Sequence, residues 1–228
     1  MIKNIFSCIV LALVLAGCGA AYKIIVKMQP VSSNEEYVID SKTGAITVNK
    51  ENVRIMVAFM NREELEKVTP FISRNPYLSD NKVFFTVFDV LIENNNEDKI
   101  SMDTAKCVLL DGLGSQFSPL SLEYFKDLYP ATVSQTTSYS AVLNEYSQNI
   151  SYTEDYYKRL VAERTLIKSG DIYQNVRQRG MIVFEQVRRE SAEVSLIIPS
   201  ITVYKAGSEI KKMDLRFKFT QEVKVDKQ

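Results

Sequence analysis

Val83-Phe84-Phe85-Thr86-Val87-Phe88-Asp89-Val90-Leu91-Ile92-Glu93 is the stretch on which the fold turns. In an extended chain Phe84, Thr86, Phe88, Val90 and Ile92 share one face, and Phe85, Val87 and Leu91 share the other with Asp89. A strand apolar on both faces belongs in the centre of a sheet with both faces covered. Asn94-Asn95-Asn96-Glu97-Asp98 ends it in a turn, because Asn and Asp bond locally and tolerate left-handed backbone. This turn lacks the ligand spacing of an EF-hand loop, so no calcium site is read there.

Working outward, Val53, Ile55, Val57 and Phe59 alternate with Asn52, Arg54, Met56 and Ala58, the period-two pattern of a half-buried strand. Ala45-Ile46-Thr47-Val48 is a shorter strand, opened by a turn at Lys42-Thr43-Gly44. Arg62 to Val68 (REELEKV) makes a helical turn or two, stopped by Pro70. Downstream, Cys107 to Asp111 is a strand turned by Asp111-Gly112-Leu113-Gly114, and Met181 to Val187 is another after Gly180. Val194 to Ile198 and Ile201 to Tyr204 read as a pair interrupted by Pro199-Ser200. In the last strand Met213, Leu215, Phe217 and Phe219 face in, while Asp214, Arg216, Lys218 and Thr220 face out. Short strands separated by turn signals indicate a mostly β chain folded as a β-sandwich.

The exception is Ser118 to Gly170, which reads as a helical insert between strands. Ser118-Pro119 suits a helix start, with Leu120, Tyr124 and Leu128 at helical spacing up to Pro130. A polar piece, Ala131 to Ser140, leads to a weak helical stretch over Ala141 to Ser147. Ser151-Tyr152-Thr153-Glu154 is a capping box opening a helix over about Tyr152 to Lys168, closed by Gly170. Seven of the twelve tyrosines fall between Tyr124 and Tyr157. Tyrosine joins apolar area to a polar tip, which suits interfaces and sugar-stacking surfaces. Tyr139, Tyr146, Tyr152 and Tyr157 are the candidate interaction surface, set against the plainer reading in which these tyrosines pack the insert onto the sandwich.

Val83 to Asn96, with Leu109-Leu110-Asp111-Gly112-Leu113-Gly114, resembles the central hairpin of secreted telokin-like, immunoglobulin-like domains of unknown function. There a long strand ends in Asn and a following strand ends in a D-x-x-G turn. Gly180-Met181-Ile182-Val183-Phe184-Glu185 is similar to that family's G-x-x-x-F-E strand. The resemblance covers roughly Val83 to Phe219 and implies an immunoglobulin-like sandwich with no catalytic residues to carry over. The insert departs from the compact members, which run almost directly between the two motifs.

At the N-terminus, Lys3 precedes an apolar run of twelve residues from Ile5 to Ala16, the length of a secretory signal core and short of the ~20 residues of a membrane span. Leu15-Ala16-Gly17-Cys18 resembles the lipobox of bacterial lipoproteins. The resemblance implies cleavage before Cys18, diacylglycerol on its thiol and a further acyl group such as palmitate on the new amine. At ~0.8 kcal/mol per buried methylene, two or three chains anchor stably where one does not. Gly19 in place of an Asp leans toward the periplasmic face of an outer membrane, where the cell has one. The expected organisation is a signal peptide over 1–17, a lipidated tether over 18–41 and a β-sandwich domain over 42–228, with the helical insert at about 118–170.

Composition narrows the function. Removing seventeen residues from 228 leaves 211, with 27 basic against 28 acidic residues, and so no basic surplus to suggest nucleic acid as partner. The chain has no histidine, which removes Ser-His-Asp and Cys-His catalysis and every metal site needing imidazole. With Cys18 committed to lipid, Cys107 reads as a buried core thiol with no disulfide partner. Arg177, Arg179, Arg188 and Arg189 read as a solvated face. The expectation is a non-enzymatic binding or structural module without cofactor or metal, anchored by lipid and directed at another envelope protein or a cell-wall polymer. The alternatives are a carboxylate-dependent cell-wall enzyme using Asp89 and Glu185, and a carrier holding a small ligand between the sheets.

Overall fold

Pairing on both sides is what a two-faced apolar strand needs, and β5 (Thr86–Asn94) has it: β4 (Val53–Phe59) runs antiparallel on one side and β12 (Val176–Phe184) on the other. The computed structural model describes residues 22–32, 35–69, 85–95, 98–129, 133–140, 145–152 and 154–227, with backbone alone over 22–24, 133–140, 145–152, 154–155 and 226–227. β3 (Ile46–Lys50) and β2 (Tyr37–Ile39) complete a five-stranded antiparallel sheet in the order β12-β5-β4-β3-β2. The second sheet has seven strands. β1 (Tyr22–Val31), β14 (Ser208–Lys227), β13 (Glu193–Lys205), β6 (Lys99–Met102) and β11 (Gly170–Tyr173) lie in that order; β7 (Val108–Asp111) also pairs with β13, and β8 (Gln116–Phe117) pairs with β7. The described residues separate into a main unit, Val26–Glu222, and a small one that includes 22–25 and 223–227. The rest of this account concerns the main unit.

The inward faces of the two sheets share one core. Ile55, Val57, Phe88, Val90, Ile92 and Phe184 come from one sheet, and Leu196, Ile198, Leu215, Phe217 and Phe219 from the other. Phe88 packs against Phe219 at 5.2 Å between ring centres, and Tyr37 meets Phe217 edge-on at 5.5 Å. Burying each of the three phenylalanine rings stabilises the fold by about 1.5–3 kcal/mol. Asn94, buried at the end of β5, donates its side-chain amide to the Ile172 carbonyl at 3.0 Å and so ties the sheets together. The inward alternation expected for β14 is present: Met213, Leu215, Phe217 and Phe219 are buried.

A second apolar layer explains the other face of β5. Phe85, Val87, Met181 and Val183 project away from the inter-sheet core and are covered by α1 (Arg62–Val68), α2 (Leu122–Leu128) and α3 (Glu154–Thr165) through Leu65, Phe125, Leu128 and Ala162. Phe85 meets Phe125 at 5.8 Å, edge to face. The helix expected over Arg62 to Val68 is α1. Asn61 caps it, accepting from the Glu64 N–H while the Glu64 carboxylate accepts from the Asn61 N–H.

Several expected boundaries are corrected. The stretch 18–41, expected as a tether, contains β1 and β2, so the folded part begins before Lys42. The insert is helical at its two ends, with a β-hairpin between them, β9 (Val133–Ser140) and β10 (Glu145–Tyr152). The helix expected over Ala141 to Ser147 is therefore overturned at Glu145 to Ser147, and 141–144 lie outside the described residues. α2 starts after Ser121, whose hydroxyl accepts from the Tyr124 N–H, and not at Ser118-Pro119. Ser151 and Tyr152 are strand, not cap, and Gly170 opens β11 and does not close α3. Val194–Ile198 and Ile201–Tyr204 are one strand, β13, with a bulge at Pro199-Ser200. Proline offers no N–H to a ladder; Ser200, at φ 54°, donates its own to the Asp214 carboxylate instead.

Candidate functional site

β12 lies at the end of its sheet, so its outer carbonyls need donors from elsewhere. The insert supplies them. As the chain leaves the sandwich, the Leu120 N–H donates to the Val183 carbonyl at 2.7 Å; as it returns, the Ile167 N–H donates to the Met181 carbonyl at 3.0 Å. Leu166 bridges to Met181 in parallel. The returning chain passes so close to Gly180 that a Cβ there would sit 2.6 Å from the Ile167 nitrogen and 2.7 Å from its Cα. Both ends of the insert are thus clamped to one strand, two residues apart.

Between the clamps lies a half-open cleft of about 290 Å³, with Met181, Ile182 and Val183 as its floor and Leu120, Leu122 and Leu166 among its walls. Thr104 and Ser169 close one rim, their hydroxyls 2.7 Å apart, and the Ser169 hydroxyl donates to Asp103 at 3.3 Å. The inter-sheet space, where a carrier's ligand was expected, holds Phe88, Phe184, Phe217 and Phe219 fully buried.

Of the four candidate tyrosines, three lie on the hairpin. Tyr139 pairs directly with Tyr146, and Tyr152 pairs with Val133 at the far end. The fourth, Tyr157, sits on α3, more than half exposed, with its ring 5.8 Å from that of the half-buried Tyr156. The packing reading holds for two others: Tyr124 lies against Phe85 and Phe125, and Tyr129 is buried beneath the Lys158 ammonium. Leu15, Ala16, Gly17 and Cys18 lie outside the described residues.

Two of the four arginines read as a solvated face are in fact paired. Arg179 grips Asp89 with two nitrogens, the shortest contact being 2.6 Å. Arg188 donates to Asp111 at 3.1 Å and to the Ser115 hydroxyl at 2.5 Å. Asp111 is the turn residue of the D-x-x-G motif, and it also accepts the Leu113 and Ser115 N–H groups at 3.0 and 2.7 Å. Burial alone would raise its pKa; the hydrogen bonds from Arg188, Ser115 and Leu113 outweigh that, so it lies below the ordinary value. Sequence spacing gives no hint of this pairing, since 77 residues separate the partners. Arg177 and Arg189 are exposed as expected.

Asp89 stands opposite Met181, and Glu185 is four residues further along, just past the end of β12. At ~3.4 Å per residue their Cα positions are roughly 14 Å apart along the sheet; the Asp89 carboxylate is held by Arg179. Cys107 is buried; loss of hydration, then the nearby Asp103 charge, push its thiol up to about 12. Among the described residues no group of three or more Cys, Asp or Glu is gathered as a metal cage, and no helix is long and apolar enough to cross a membrane.

No protein-family model matches the chain, and no curated protein matches it. Among solved structures, a Northeast Structural Genomics Consortium target aligns over 86% of this chain and 84% of its own, at 6% identity and a TM-score of 0.26. Collagen adhesin from S. aureus aligns over 91% of this chain and 81% of its own, at 10% identity and a TM-score of 0.21. Similarity at that level carries no argument about fold family or function.

Proposed function

We propose that this chain is a lipid-anchored lipoprotein of the cell envelope, a non-enzymatic module whose sandwich presents the 118–170 insert to another envelope component. In this reading Cys18 carries the lipid, the outer membrane's periplasmic face is the favoured location, and the sandwich is of immunoglobulin-like type. The observation that carries it is the double clamp. With Leu120 and Ile167 both bonded to β12, the hairpin between α2 and α3 is held at both ends by a rigid sheet. Irregular or added segments held on a rigid scaffold are where binding surfaces concentrate.

The test has two arms. Labelled palmitate should enter the wild-type chain in cells and fail to enter a Cys18→Ala variant; equal labelling refutes the anchor. Replacing residues 133–152 by a short Gly-Ser link keeps both clamps and removes the hairpin. Material captured from solubilised envelopes should then be lost, and unchanged capture refutes the display role.

A further inference from the structure

The hairpin's register sorts its residues in a way the linear sequence hides. Residues opposite each other in an antiparallel pair share a face, and faces alternate along each strand. Tyr139, Tyr146 and Tyr152 therefore share one face with Gln135, Thr137, Gln148, Ile150 and Val133. At every position of the other face stands Ser, Thr, Asn or Glu145. Glu145 is the one charged residue in the two strands, in a chain that is 25% charged.

We propose that the tyrosine face of β9–β10 binds a neutral, linear oligosaccharide. This rests on the display reading above and names the ligand class. Tyrosine offers a rigid apolar ring that stacks on the C–H face of a sugar, while amides and hydroxyls exchange hydrogen bonds with its hydroxyl groups. A face with no cation has nothing to hold a phosphate-bearing polymer or a nucleic acid. A protein interface concentrates apolar residues at its centre with polar groups at the rim. Here the order is reversed: the Tyr139–Tyr146 pair stands at one end and Tyr152, paired with Val133, at the other. Three of the four positions between are Gln135, Thr137 and Gln148, the fourth being Ile150. Tyr146 and Tyr152 are six residues apart, about 20 Å at ~3.4 Å per residue. Only a chain of several sugars reaches both ends.

The experiment titrates detergent-solubilised full-length protein with β-1,4-linked oligomers of glucose and of N-acetylglucosamine, dimer to hexamer, by calorimetry. Affinity for one series should climb with length until the ligand spans both aromatic ends. Tyr139→Ala and Tyr152→Ala should each weaken hexamer binding about tenfold, or about 1.4 kcal/mol, and Tyr152→Ala should also abolish the dependence on length. Thr136→Ala, on the opposite face, should bind as wild type. Absence of binding to both series overturns the proposal, as does affinity independent of length. So does a pair of Tyr→Ala variants that lower thermal stability and leave binding intact, because the rings would then be packing residues. If both series fail while removal of residues 133–152 still abolishes capture of an envelope protein, the glycan is refuted and display stands; if capture is also unaffected, both fall.

Discussion

Replacing Gly180 by alanine adds one methyl group where the insert returns to the sheet. That Cβ would lie 2.6 Å from the Ile167 nitrogen, 2.7 Å from its Cα and 3.0 Å from its Cβ. Two of these are backbone atoms, so no rotamer change relieves them; the 166–169 segment or β12 must move by something near 1 Å. Overpacking of this kind costs about 1–3 kcal/mol. The Ile167–Met181 hydrogen bond, 3.0 Å in the native chain, adds about 0.5–1.5 kcal/mol when broken. A total near 3 kcal/mol lowers the melting temperature of a domain this size by roughly 6–12 °C. Differential scanning calorimetry reads that shift, and hydrogen exchange reads its location: the Ile167 amide should lose protection before Val87 or Val90 in β5. Truncating Ile167 to alanine in the Gly180→Ala background should not restore stability, since the clash is with main chain. A melting temperature within a degree of wild type, native protection at Ile167, or rescue by the truncation refutes the reasoning.

Two further outcomes follow from the titrating groups. Asp111→Asn keeps the turn's shape and removes the charge that Arg188 faces. Because Arg188 is about half exposed and its attraction is screened by solvent, the cost in urea denaturation should be about 1–2 kcal/mol near neutral pH. The native pKa of Asp111 is held below its ordinary 3.8, so its contribution is full above the unfolded value and fades as pH falls through the native one. The gap between wild type and variant should therefore close below about pH 4, and a gap that persists or widens there contradicts the pairing. Cys107 shifts the other way, from 9.0 up to about 12. Its stabilising share is complete below pH 9 and is lost as pH rises toward 12. At pH 8 a thiol reagent should label the folded chain at Cys107 far more slowly than the urea-unfolded one, and equal rates refute the burial.

Period-two alternation is a local property of the chain, so β4, β5 and β14, and the central place of β5, are legible in Val53–Phe59, Val83–Glu93 and Met213–Phe219 alone. The resemblance of Leu15-Ala16-Gly17-Cys18 to a lipobox is equally local and is read without any fold. The hairpin is illegible for the opposite reason. In Val133–Ser140 and Glu145–Tyr152 the face that carries the tyrosines also carries Gln135, Thr137 and Gln148, which breaks the apolar period, and Ala141 to Ser147 imitates a helix by propensity. The same weakness hides β1 and β2 in the mixed-polarity stretch 18–41. Other features depend on residues that meet only after folding. Gly180 reads as a strand boundary until Ile167 is seen crossing it, and Arg188 as surface until Asp111 lies 3.1 Å away. The sequence alone determines which residues can be strands. Only the tertiary structure decides that the outer face of β5 is roofed by α1, α2 and α3, and that three scattered tyrosines share one side of a hairpin. Faces and coverings are set by register and long-range contact, which no local periodicity encodes.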